Sequence, residues 1–134
     1  MPKTDLVSPP SHCALCPRRC GVDRAAGAVG FCGAGRTLKA ARAALHFWEE
    51  PCISGTRGSG TVFFSGCTLK CCFCQNYPIS AEGLGKEISV GHLAEIFLDL
   101  QAQGAHNINL VTPDRKSTRL NSSHYQQSRM PSSA

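Results

Sequence analysis

Apolar positions change their period along the chain, and the changes mark out its elements. Residues 89–104 carry the clearest helical signal. Leu93, Ile96, Phe97 and Leu100 recur at steps of three and four and give one apolar face. Ser89 stands where a cap oxygen would meet free amides, and Gly104 stands where a helix would end. Thr61-Val62-Phe63-Phe64 is a short apolar, β-rich run, and Ile108-Asn109-Leu110-Val111 is another; both predict strands. The stretch from Lys39 to Trp48 is ambiguous. Its alanines favour a helix, whereas its place ahead of a turn and a strand suits an edge strand. Gly55-Thr56-Arg57-Gly58-Ser59-Gly60 reads as a glycine-rich turn.

Strand, loop, helix, strand is a βαβ unit. It implies the α/β class, with a parallel sheet and a right-handed crossover. A parallel sheet is covered on both faces, which one unit alone does not achieve. In such sheets chemistry sits beyond the C-terminal strand ends. A cysteine-rich loop follows the first strand at such an end, and Thr112-Pro113 follows the second.

The 134 residues divide into four stretches. Residues 1–12, with Ser8-Pro9-Pro10-Ser11, read as a loose terminus. Residues 13–36 are rich in cysteine and glycine. Residues 37–113 hold the predicted strands and helix. From Asp114 the sequence turns polar and aperiodic. Asp114 to His124 resembles what one frame of a common sequencing-library adapter encodes, and Ser128 to Ala134 matches the constant stretch after a variable index. Residues 114–134 are therefore read as translated adapter rather than native protein, with the natural chain continuing past Pro113.

This division changes the meaning of the charge. The formal net charge is +5. Four of the fourteen Lys and Arg lie in the tail (Arg115, Lys116, Arg119, Arg129) against one of the nine Asp and Glu (Asp114). The remaining chain is nearly balanced, and no basic stripe interleaved with aromatics points to nucleic acid. No run approaches the ~20 apolar residues of a membrane span, and no apolar export signal opens the chain. Nine cysteines without such a signal point to metal or redox chemistry in a reducing, cytoplasmic compartment rather than to disulfides.

The cysteines carry the chemistry. Cys67, Cys71 and Cys74 lie in Gly66-Cys67-Thr68-Leu69-Lys70-Cys71-Cys72-Phe73-Cys74, a C-x3-C-x2-C run. Three thiolates in eight residues can hold three corners of a cubic iron–sulfur cluster and leave the fourth iron open to a small molecule. Ferredoxin runs that supply four cysteines are spaced differently. The same three positions also fit one face of a helix, which would make them core cysteines. A zinc site completed by a distant His or Cys is a further alternative. Cys13, Cys16, Cys20 and Cys32 form a second group, C-x2-C-x3-C-x11-C, suited to structural zinc, with His12 as an added donor, or to a second iron–sulfur cluster. Reduced cysteines with no metal are the plain alternative, but so small and glycine-rich a segment has little else to hold it together, which favours a metal.

Several strings together resemble the activating-enzyme-like branch of the radical S-adenosylmethionine (SAM) superfamily, close to relatives of pyruvate formate-lyase activating enzyme. They are Cys13-Ala14-Leu15-Cys16-Pro17-Arg18-Arg19-Cys20-Gly21-Val22-Asp23-Arg24, Gly30-Phe31-Cys32, His46 to Pro51, Ile53 to Thr61, the cysteine run continuing into Gln75-Asn76-Tyr77, and Ile108 to Pro113. The resemblance covers about residues 13–113. It implies the N-terminal part of a partial (βα)6 barrel preceded by a cysteine-rich metal-binding segment. It implies that Cys67, Cys71 and Cys74 ligate a 4Fe–4S cluster whose open iron is chelated by SAM. Reductive cleavage of SAM would then give a 5′-deoxyadenosyl radical for hydrogen abstraction, in the manner of an oxidoreductase that activates a partner enzyme. The backbone of Phe73 would touch the adenine. Implied partners are SAM, an electron donor such as flavodoxin or ferredoxin, and a protein substrate. SAM-binding elements of later strands are absent from this sequence, so the chain alone is expected to be inactive. Cys72 and Cys52 lie outside every spacing and read as spare thiols.

Other candidates are weaker. His46, Glu49 and Glu50 suit acid–base work or a plain surface. Arg57 sits in a turn where it would either meet a carboxylate or face solvent, and His92 reads as solvent-facing. Two competing functions are a zinc-binding interaction module and a two-cluster electron carrier without SAM.

Overall fold

A computed structural model of the chain describes residues 9–112. The readings of residues 1–8 as a loose terminus and of 114–134 as adapter lie outside the described residues, as does Pro113.

The fold is organised around β2, Ser59–Phe64, whose residues are apolar or small and are buried on both faces. It begins two residues earlier than its apolar run suggests, because Ser59 and Gly60 also pair. On one side lies β1, Leu38–His46, antiparallel to β2 with Ala40 opposite Phe64 and His46 opposite Ser59. A bulge between Ala40 and Arg42 shifts that register. On the other side lies β4, Ile108–Val111, parallel to β2 with Gly60 opposite Ile108 and Phe63 opposite Val111. β3, Lys86–Ile88, adds to the far side of β1, so the order is β3-β1-β2-β4.

Three helices connect the strands: α1, Pro51–Ser54; α2, Tyr77–Ser80; and α3, Val90–Ala102. The predicted helical face is the one that packs. Leu93, Ile96, Phe97 and Leu100 meet Val62 and Phe64, with Ala40, Leu45 and Ala105 around them. Leu100 and Val62 are fully buried, each contributing roughly 1.5–3 kcal/mol of burial free energy. Ser89 caps α3 by accepting from the His92 N–H at 3.0 Å. Gly104, at φ 90°, turns the chain out of it. β2, α3 and β4 thus form the expected βαβ unit.

The sheet differs from expectation in two ways. It is mixed rather than wholly parallel, since β1 runs antiparallel to both neighbours. β1 is also an interior strand, neither a helix nor an edge. Alanine's helix preference is a fraction of a kcal/mol per residue, and two flanking ladders outweigh it. β3 escapes sequence reading because Lys86 and Glu87 give it no apolar alternation; charge is what an edge strand carries. The short helices α1 and α2 likewise carry no helical periodicity, each being a single turn of four residues. Each opens with a proline at its first or second position. Among the described residues no helix is long and apolar enough to cross a membrane.

Candidate metal centre

The cysteine loop leaves the C-terminal end of β2 and is fixed at its base. The Ser65 N–H donates to Lys39 O at 2.9 Å, and the Gly66 N–H donates to Ile79 O at 2.9 Å. Gly66 takes φ 87°, which frees the turn from the strand direction. After α2 the chain passes back across this base at Gly85, where an added Cβ would lie 2.7 Å from Ala40 O and collide with Ser65 Oγ. The Ser65 hydroxyl donates to Leu84 O at 2.5 Å and closes the return. The end of β4 joins from the other side: Thr112, at φ 55°, donates its hydroxyl to Phe64 O at 3.0 Å. The loop therefore lies at the ends of both parallel strands.

Within the loop Cys67 is buried, Cys71 and Cys74 are half-buried, and Cys72 is exposed. Two sulfurs accept hydrogen bonds. The Leu69 N–H donates to Cys67 Sγ at 3.4 Å, and the hydroxyl of buried Ser80 donates to Cys74 Sγ at 3.4 Å. Cys74 N–H bonds to Cys71 O at 3.2 Å, keeping those two residues in one tight turn. Phe73, between Cys72 and Cys74, is 85% exposed. The positions do not form one helix face, since residues 67–76 are turn and coil.

The N-terminal group is arranged around Arg24, which is buried. Its Nε donates to Cys13 Sγ at 3.1 Å, its Nη2 to Cys32 Sγ at 3.4 Å, and its Nη1 to Ala34 O. Gly30 leaves room there: a Cβ would lie 2.7 Å from Arg24 Nη2 and 3.2 Å from Cys20 Sγ. Burial pushes the Cys13 thiol up, but the Leu15 N–H, the Arg24 guanidinium and Cys20 outweigh it and hold the thiol below its ordinary value. Arg24 is correspondingly held more firmly charged. Burial opposes this, and Cys13 and Cys32 overcome it. Cys16 is half-buried, and its carbonyl accepts from the Arg19 N–H at 3.0 Å. The His12 ring packs over Gly21.

Among the described residues no three Cys, His, Asp or Glu side chains converge closely enough to hold a metal ion. What fits an iron–sulfur cluster at the loop is the donor chemistry: three thiols in eight residues, one of them buried, and hydrogen-bond donors already aimed at two sulfurs. At the N-terminal group the thiol set suits a metal, while Arg24 supplies the positive charge between Cys13 and Cys32.

The weaker candidates lie elsewhere. His46 faces Ser59 across the sheet, so His46, Glu49 and Glu50 belong to the N-terminal end of β2. That is roughly 20 Å, the length of a six-residue strand, from the cysteine loop. His46 Nε2 lies 3.8 Å from Glu49 Oε1. Arg57, which its glycine-rich turn suggested would lie near the mouth of the site, is at the same far end instead, with Nη2 3.2 Å from His106 Nδ1. His92 is exposed and pairs with Glu95 at 3.2 Å. Cys52 is an exposed residue of α1. Ser80, Arg24 and Arg18 also belong to these sites, although no motif marks them as site residues. Arg24 and Arg18 stood inside the resembling string, whereas nothing in the sequence distinguished Ser80.

The chain is similar to the Uncharacterized protein MJ0674 of Methanocaldococcus jannaschii. The two are 38% identical over 77 residues, which is 58% of this chain and 21% of the relative. The match therefore spans about a fifth of that relative's length, 21%. No protein-family model matches the chain, and no solved structure matches it.

Proposed function

We propose that the chain carries a 4Fe–4S cluster on Cys67, Cys71 and Cys74 and forms the N-terminal part of a radical SAM barrel. The observation that carries this reading is the placement of the three thiols. They occupy one loop at the C-terminal end of β2, beside the end of parallel β4, with Ser80 and the Leu69 N–H donating to two of the sulfurs. Held by Cys67, Cys71 and Cys74, such a cluster would supply the electron for reductive cleavage of SAM. The chain's own residues hold and tune it. Cys67 anchors the buried end. The two hydrogen bonds draw electron density from the sulfurs. Exposed Phe73 offers its backbone beside Cys74 to the adenine. SAM, an electron donor such as flavodoxin or ferredoxin, and a protein substrate are the proposed partners, and the proposed compartment is the cytoplasm. Cys13, Cys16, Cys20 and Cys32 are assigned to a second centre, zinc or iron–sulfur.

Anaerobic reconstitution with iron and sulfide, followed by EPR of the reduced protein with and without SAM, tests this function. The expected result is a cluster signal that changes when SAM is added. A signal indifferent to SAM would support the electron-carrier alternative, and zinc without iron would support the interaction module.

A further inference from the structure

Arg18 ties together the two cysteine segments through a contact with Thr68, fifty residues further along the chain. It stands between Cys16 and Cys20, in a turn closed by the Arg19 N–H on Cys16 O at 3.0 Å, with Arg19 at φ 41°. Its Nε donates to Thr68 O at 2.6 Å, in the first turn of the loop after Cys67. Its guanidinium lies 3.5 Å from the centroid of the Phe31 ring, beside Cys32. Lys70, from the loop itself, places its Nζ 4.9 Å from the same ring. Two cations thus meet on one aromatic ring at the rim of a three-thiol loop. Among the described residues neither forms an ion pair.

We propose that Arg18 is a positioning residue, a latch that holds the N-terminal cysteine segment on the Cys67–Cys74 loop and brings positive charge to its rim. Arg is suited to this because one planar group can donate to a carbonyl and stack on an aromatic ring together. A carbonyl held by a charged donor keeps the turn after Cys67 in one conformation. The remaining positive charge favours the more negative, reduced state of a cluster on that loop. This second consequence rests on the proposed function; the latch does not.

Hydrogen exchange of the metal-free chain tests the latch. In Arg18→Gln, amides of residues 67–74 are expected to exchange about three- to tenfold faster, the effect of losing one hydrogen bond of ordinary net strength. Amides of α3 should stay unchanged and serve as the internal reference. Phe31→Leu, which keeps an apolar contact but loses the ring face, should accelerate the same loop amides and decides the matter should Arg18→Gln fail to fold. Loop exchange equal to that of the unaltered chain would overturn the latch. Redox titration of the reconstituted protein tests the charge. The potential should fall in Arg18→Gln and stay close to the unaltered value in Arg18→Lys, which keeps the charge but not the planar stack. Equal potentials in all three would overturn that part. Failure of the unaltered chain to take up any cluster would count against the proposed function, while the exchange result would still decide the latch.

Discussion

The buried hydroxyl of Ser80, on α2, lies 3.4 Å from Cys74 Sγ and donates to it. α2 is a single turn whose end is tied back to the loop base by the Gly66 N–H on Ile79 O. Ser80 is therefore carried to the sulfur by the same contact that closes the loop. A hydrogen bond to a cluster sulfur stabilises the reduced state. If the proposed cluster occupies the loop, Ser80→Ala is expected to assemble it but lower its reduction potential, measured by anaerobic titration. An unchanged potential would show that the hydroxyl does not sense the cluster.

The Arg24–Cys13 pair gives stability a pH dependence. The folded thiol releases its proton at lower pH than the unfolded one, because burial is outweighed by the Leu15 N–H, Arg24 and Cys20. Between the folded value and the ordinary value of 9.0 the unfolded chain binds more protons, so stability rises with pH across that window. It is fully present above 9.0 and is lost as pH falls through the folded value. Urea unfolding of the metal-free chain, followed from neutral pH to above 9.0, should show this rise, and Arg24→Gln should flatten it. An equal slope in the variant would mean that another group titrates.

A variant lacking Cys67, Cys71 and Cys74 isolates the N-terminal group. It is expected to retain one bound metal centre through Cys13, Cys16, Cys20 and Cys32, measured by metal analysis. Neither zinc nor iron would remove the second centre and leave Arg24 as the counter-charge of those thiols.

Leu100 joins α3 to the sheet. Its side chain is 2% exposed and packs in the cluster with Val62 and Phe64. Leu100→Ala is expected to cost about 2–5 kcal/mol of unfolding free energy. Exposed Leu98, on the same helix, should lose far less on the same substitution. Denaturant titration of the two variants distinguishes them, and equal losses would contradict the packing described.

The sequence revealed what strong periodicity and tight spacing encode. α3 showed its packed face because four apolar residues repeat at helical steps, and its caps were visible in Ser89 and Gly104. The relation of β2 to β4 followed from two apolar runs around that helix. β1 was obscured because its alanines state a local preference that the pairing of distant strands overrules. β3 was invisible because a charged edge strand has no apolar signature. At the site, the three loop cysteines stood out by spacing alone. Ser80, Arg24 and Arg18 act across six to fifty residues, through a helical turn, a buried guanidinium and a contact between segments, and no local pattern marks such contacts.

Iron and sulfide content of reconstituted single Cys→Ala variants tests the assignment of the three loop thiols most directly. Cys67→Ala, Cys71→Ala and Cys74→Ala are each expected to lose the proposed loop cluster, and Cys72→Ala, at an exposed residue, is expected to keep it. A full cluster in Cys71→Ala together with its loss in Cys72→Ala would contradict the assignment.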